Sequence, residues 1–244
     1  MHSATLTKWF QTPLGADMMA REQAVLDSIL ADIFGFHALQ VGLPDFPLLR
    51  ASRMSHHMVL AEISPAQLIA LPQEMPIASQ SIDLVVLAHV LEFAESPHAI
   101  LREVERILVP EGRVIITGFN PWSLWGLRQS LDLRRHHHPW DGHFISLPRV
   151  KDWLNLLNLE VNAGRLWGYG LPLQSPAWRT RFEFLEKMGD RWWGVAGGVY
   201  MLEAVKRVAG MRLVQRLSLK QAAAFRMPGL TVPHRSSSFH RDPL

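Results

Sequence analysis

The chain has 244 residues, 48% of them hydrophobic and 19% charged, with a formal charge of +3. That length can bury one sizeable core, and that composition is globular rather than disordered. Cysteine is absent, which excludes disulfides, a thiolate nucleophile and zinc held by sulfur. No uncharged apolar run reaches the roughly 18–20 residues of a membrane span. Met1–Phe10 also lacks the apolar core of a signal peptide, so the expectation is a soluble, cytoplasmic protein without a membrane span.

In chain order, Val25, Leu26, Ile29, Leu30, Ile33 and Phe34 recur at a helical period, with Gly35 as a stop. Residues 1–36 thus read as an N-terminal helical segment. The run Ala38–Leu43 is too short for a helix and ends at Gly42 and Pro44, so it predicts a buried strand. Shorter apolar runs follow at Met58–Ala61, ending at Glu62, and at Leu68–Leu71, ending at Pro72. Ile82–Leu87 is apolar apart from Asp83, as a strand covered on both faces requires.

Ser96 and Pro97 then predict a helix start, with Ile100, Leu101, Val104, Ile107 and Leu108 on the inner face. Pro110-Glu111-Gly112 predicts a turn, and Arg113–Phe119 the next strand. A stretch rich in Trp, His and Arg, about 120–145, forms an insertion. Ser146 opens a further helix with Val150, Trp153, Leu154 and Leu157 inside. Leu159–Leu166 and Val199–Val205 predict two late strands, separated by a helical insertion at about 172–193. The tail, 226–244, is basic, rich in Ser and Pro, and expected to be disordered.

Alternating strands and helices imply an α/β, Rossmann-like doubly wound sheet over residues 37–210, mostly parallel with a late antiparallel strand. In such sheets ligands bind beyond the carboxyl ends of the strands. That rule singles out Gly42, Glu62, Leu71–Ile77, Ala88–Phe93 and Gly118–Trp122.

The run Ser81-Ile82-Asp83-Leu84-Val85-Val86-Leu87-Ala88-His89-Val90-Leu91-Glu92-Phe93 resembles the class I S-adenosylmethionine-dependent methyltransferases, more narrowly their type 11 group. The likeness continues through Leu101-Arg102-Glu103-Val104 and Arg106–Arg113. The resemblance implies S-adenosylmethionine as cofactor, with Gly42, Glu62, Met75, Pro76, Ala88, His89 and Leu91 around it. It implies Glu62 as the acid that meets both ribose hydroxyls, and Asn120 and Trp122 on the acceptor side. The chain departs from the family at the first strand end. Gln40 stands in place of an acid, only Gly42 remains of a glycine-rich loop, and Leu43-Pro44 narrow the approach. The helix expected after Glu62 is nearly missing.

Each of these residues has a plainer reading. Glu62 could be a solvated acid at a strand end, Gly42 an ordinary turn, and His89 a loop histidine rather than a base. Asp83 reads as a structural hydrogen-bonding group. Trp122, Trp125 and Trp140 could stack on a flat acceptor or pack a lid. His136-His137-His138 reads as a solvated loop rather than a metal site, because adjacent histidines do not converge on one ion. Arg134, Arg135 and the basic tail leave nucleic acid as a weakly supported partner. The functional expectation is methyl transfer to an acceptor the sequence does not identify, with no catalytic residue assigned. The alternative is a binding or scaffold protein that has kept the fold and lost the cofactor. A nicotinamide dehydrogenase would need GxGxxG at the first turn, and this turn has one glycine. The oligomeric state is not legible.

Overall fold

A computed structural model describes residues 2–131, 141–170 and 196–208. The triple histidine, Trp140, the insertion at 172–193 and the tail lie outside the described residues.

Two helices open the chain, α1 (His2–Phe10) and α2 (Pro13–Leu30). The Thr12 hydroxyl joins them: it donates to the Trp9 carbonyl at 2.7 Å and accepts from the Gly15 N–H at 3.2 Å, capping α2. Gly15 is required there. A Cβ would lie 2.2 Å from the Trp9 carbonyl oxygen. α2 starts well before the periodic residues that announced it and stops at Leu30, leaving Ile33 buried and Phe34 exposed beyond its end.

Among the described residues, seven strands follow: β1 (His37–Val41), β2 (His56–Ala61), β3 (Leu68–Ile69), β4 (Ile82–Ala88), β5 (Leu108–Phe119), β6 (Leu159–Trp167) and β7 (Val199–Lys206). They form one sheet in the order β3-β2-β1-β4-β5-β7-β6. β1 to β5 pair in parallel, whereas β7 runs antiparallel to both β5 and β6. The expected mostly parallel sheet with late antiparallel pairing is what the chain forms.

The expected turn at Pro110–Gly112 is instead a bulge within β5. Pairing steps from Ile82 with Leu108 to Leu84 with Arg113, so Val109–Gly112 are extruded and Glu111 takes a positive φ of 63°. A twisted sheet absorbs such extra residues by bending the bulged strand.

Both faces are covered, as a parallel sheet requires. Leu84, Val86 and Ala88 of β4 face a core built by α1 and α2, with Leu6, Phe10, Met18, Leu26 and Leu30 among its members. Val85 and Leu87 face the opposite core, under α3 (Pro97–Ile107) and α5 (Leu147–Leu156). α3 buries Ile100, Leu101, Val104 and Ile107, the face the sequence marked. Ser96 and Ser146 occupy the N-cap positions of α3 and α5 without a side-chain cap bond; each helix has proline in its first turn. α4 (Leu124–Leu131) buries Trp125 on the α1 side of the sheet.

Asp83 has the structural role expected of it. Its Oδ2 accepts the N–H groups of Phe36 and His37, each at 2.9 Å, which fixes where β1 begins. Neither β1–β2 nor β2–β3 is bridged by a helix; residues 42–55 and 62–67 are turns and irregular backbone. No described helix is long and apolar enough to cross a membrane.

Candidate cofactor cavity

A cavity of about 480 Å³ lies beyond the carboxyl ends of β1, β2 and β4. That volume is in the ordinary range for small-molecule sites. Its walls come from the loops that leave these strands, together with Leu6 of α1 and Ile100 of α3.

The turn after β1 is built around Gln40. The buried amide of Gln40 donates to the carbonyls of Gly42 (3.1 Å), Leu43 (2.9 Å) and Phe46 (3.0 Å). Its Oε1 accepts the Leu48 N–H at 3.1 Å. One side chain therefore shapes the whole loop from Gly42 to Leu48. A carboxylate has no proton to donate and could not do this.

Gly42 and Leu43 are both left-handed, at φ 84° and 47°. At Gly42 a Cβ would lie 2.8 Å from Val90 Cγ2 and 3.0 Å from the Ala88 carbonyl, so β1 and β4 end too close for any other residue. Leu43 borders the cavity, but its side chain is buried in the core on the α1 and α2 side. It does not plug the hollow.

Of the residues marked in the sequence, Gly42, Glu62, Ala88 and His89 line this cavity. Glu62 stands at the end of β2 and is exposed. Met75 and Pro76 stand outside the lining, and their place is taken by Leu71, Pro72 and Gln73. Met75 is buried, and its N–H donates to Glu103 Oε2 at 3.0 Å. The same Glu103 pairs with Arg106, which also donates to the Met75 and Ile77 carbonyls and so ties down the approach to β4. The Arg106 guanidinium holds the Glu103 carboxyl below its ordinary range, against a smaller opposing effect of burial. Leu91 lies in the α3 core rather than in the lining. Asn120 and Trp122 are not in the lining either. Asn120 is buried; its amide donates to the Gly197 carbonyl at 2.9 Å and accepts the Trp122 N–H at 3.1 Å, while Trp122 itself is exposed.

The strand-end rule had reached Phe93, but sequence reading missed Leu6, Ala94, Glu95 and Ile100 as wall residues. Ile100 had a signal as an inner-face residue of a helix that starts at a strand end. Leu6 had only its spacing of four from Phe10.

His89 shows the cavity its main chain. Its backbone is left-handed, at φ 51°, and its imidazole has no exposed surface. The ring sits between two buried carboxylates, with Nε2 3.0 Å from Glu22 of α2 and Nδ1 3.2 Å from Glu92. Burial alone would lower the imidazole pKa. Glu22 and Glu92 outweigh it by charge and hydrogen bonding, and raise it from 6.5 to about 10. The ring is therefore an imidazolium at neutral pH, with both protons committed. It is not a base for an acceptor.

Among the described lining residues the other ionisable side chains are the acids Glu62 and Glu95, and none is a lysine or arginine. Below the floor, two carboxylates share one imidazolium. The cavity is thus suited to a cation and unsuited to a phosphate. No described group of three or more His, Cys, Asp or Glu residues could hold a metal ion.

Residues 49–116, from the loop before β2 into β5, match a family model described as a methyltransferase domain. The uncharacterized protein YafS of Escherichia coli (strain K12) is 36% identical over 155 residues, which cover 63% of this chain and 65% of that protein. The chain therefore spans just under two thirds of that curated relative. Among solved structures, the complex between the Haloferax volcanii Trm112 methyltransferase activator and a protein assigned as a methyltransferase superposes with a TM-score of 0.59. There the identity is 17%, over 83% of this chain and 98% of that one. Geranyl diphosphate C-methyltransferase from Streptomyces coelicolor A3(2), bound to Mg2+, geranyl diphosphate and S-adenosyl-L-homocysteine, gives a TM-score of 0.53. Its identity is 13%, over 77% of this chain and 81% of that one. At these identities the structures speak for the fold. Residues 49–116 are thus similar to a methyltransferase domain, and the chain has the class I S-adenosylmethionine-dependent methyltransferase fold.

Proposed function

We propose that this protein transfers a methyl group from S-adenosylmethionine to an acceptor nucleophile. The observation that carries the proposal is the cavity itself: it lies at the carboxyl ends of the parallel strands, and its described lining includes the acids Glu62 and Glu95 and no described basic phosphate clamp. A sulfonium nucleoside fits that charge. A dinucleotide with its pyrophosphate does not.

The residues present fit the group. Glu62 offers two acceptor oxygens to a vicinal diol. Leu71, Pro72 and Ile100 give an apolar slot for a flat base, and the left-handed Gly42 leaves backbone without a Cβ beside the ligand. When bound, the cofactor supplies an electrophilic methyl group and so carries the difficult chemistry. The chain's own part is to bind, orient and exclude water, an effect that reaches about 7–11 kcal/mol at best in well-aligned systems. With the His89 protons committed, the acceptor brings its own nucleophilicity. A cytoplasmic location belongs to the same reading.

Calorimetry with S-adenosylmethionine and S-adenosylhomocysteine tests it. Micromolar binding that weakens about 10- to 100-fold in Glu62→Ala is expected, as for the loss of charged hydrogen bonds. No binding at millimolar ligand refutes the proposal and leaves a scaffold on a methyltransferase fold.

A further inference from the structure

The buried contacts of His89 join parts of the chain that the cofactor reading leaves separate. Glu22 lies 67 residues upstream on α2, yet its Oε2 reaches His89 Nε2 at 3.0 Å. On the other side, Glu92 Oε1 takes both His89 Nδ1 and the Phe119 N–H, the latter at 2.7 Å. One chain of hydrogen bonds therefore runs from α2, through the cavity floor, to the end of β5. α1 follows the same route. Phe10 packs on the imidazole with ring centroids 5.4 Å apart, and Leu6, one turn earlier on the same face, lines the cavity.

Core packing alone does not call for this arrangement. Glu22 Oε1 and Glu92 Oε2 are buried with no hydrogen-bond partner. A buried carboxylate that is only partly satisfied is a poor stabiliser compared with an apolar side chain of the same size. Its effect lies in what it fixes. His89 holds a left-handed backbone that a residue with a Cβ resists, and a ring gripped at both nitrogens cannot relax that turn.

We infer that Glu22 is a positioning residue for the cofactor cavity: acting through His89, it fixes the Ala88–Val90 floor and holds the N-terminal helices so that Leu6 closes one wall. The inference rests on reading the cavity as the S-adenosylmethionine site.

The test uses the full chain with Glu22→Gln, which keeps the shape and one acceptor, and Leu6→Ala, which removes the wall contact from α1. Arg50→Ala serves as a control. It breaks the 2.6 Å pair with Asp27 on the same helix, away from the cavity. S-adenosylhomocysteine affinity is read by calorimetry, amide hydrogen exchange follows residues 2–10 and 88–93, and melting of the free chains reports folding. Glu22→Gln is expected to weaken S-adenosylhomocysteine about 10-fold. Exchange in both segments should rise together, and Leu6→Ala should add little on top of it. Arg50→Ala should leave affinity unchanged. Unaltered affinity in Glu22→Gln overturns the inference, as does a loss matched by Arg50→Ala. Should Glu22→Gln fail to fold, full retention of affinity by Leu6→Ala overturns it. A wild-type chain that binds neither S-adenosylmethionine nor S-adenosylhomocysteine defeats the cavity reading, and the inference with it. A wild-type chain that binds both, with affinities indifferent to Glu22, defeats only the inference.

Discussion

Gln40→Glu would restore the acid that the family resemblance leads one to expect at the end of β1, and it should damage the protein. The Gln40 amide donates to three carbonyls and its oxygen accepts the Leu48 N–H, all within 3.1 Å and largely out of water. A carboxylate in that place keeps the Leu48 contact and turns an oxygen towards three oxygens. Each carbonyl left without a donor costs about 1 kcal/mol or more, so a loss of about 3–5 kcal/mol at pH 7 is expected. For a domain of this size that lowers the melting temperature by roughly 10 °C. The damage should be pH-dependent. The new carboxyl, facing carbonyls and buried, has its folded pKa raised above the unfolded value of about 4.3. Stability is then greatest below that value, where the protonated acid donates again, and falls as pH rises through the folded pKa. Chemical denaturation of Gln40→Glu and wild type at pH 7 and pH 4.5 reads both effects. Equal stability of the two at pH 7, or a difference that does not shrink at pH 4.5, would show that the amide does not shape this loop.

Three further outcomes follow from local geometry. Wild-type stability should fall as pH rises from about 6.5 towards 10, because the His89 imidazolium is held by Glu22 and Glu92 and its pKa is raised to about 10; His89→Gln should flatten that slope. Tyr200, which faces Glu92, is pushed up by burial first and by that charge second, so it stays neutral over the same window. Gly118→Ala should destabilise by about 1–3 kcal/mol, since a Cβ there would lie 2.6 Å from the Tyr200 hydroxyl and 3.1 Å from Glu92 Oε1; thermal melting measures it. Arg106→Lys should loosen residues 75–79, because one ammonium cannot reach Glu103, the Ser79 hydroxyl and the Met75 and Ile77 carbonyls together; faster amide exchange in that segment is the readout.

The centre of the sheet was legible because β1, β4, β7 and the second half of β5 are buried on both faces and so read as apolar runs bounded by polar or turn residues. The amphipathic face of α3 was legible for the matching reason. The bulge at Val109–Gly112 was not, since Pro-Glu-Gly signals a reversal whether the chain leaves the strand or only buckles within it. At the site, Gly42, Glu62, Ala88 and His89 could be placed because the strand-end rule and the resemblance fall on the same residues. Leu71–Gln73 were displaced from Met75 and Pro76 because β3 is only two residues long, and the chain turns towards the cavity earlier than a longer strand would allow. The role of Glu22 had no local signal. It follows from a contact across 67 residues between a helix face and a loop.

The loop after β1 shows how a cavity can persist without a glycine-rich sequence. Glycines serve such a loop in two ways: they permit left-handed backbone, and they leave room for close approach. Here the two requirements are met separately. Room is needed only at Gly42, where Val90 and Ala88 crowd the position of a Cβ. The left-handed turn extends to Leu43 because Gln40 binds the carbonyls on either side of that strain, while the leucine side chain is taken into the core. A side chain with two donors and one acceptor thus replaces conformational freedom with conformational constraint. Such a loop has fewer states to lose when a ligand arrives, but it tolerates substitution at position 40 far less than a glycine-rich loop would. Gln40→Ala should therefore weaken ligand binding more than its distance from the cavity suggests, by raising the cost of ordering residues 42–48. Calorimetry should show that loss as a more unfavourable binding entropy, and an unchanged entropy with unchanged affinity would mean that the turn is held by something other than Gln40.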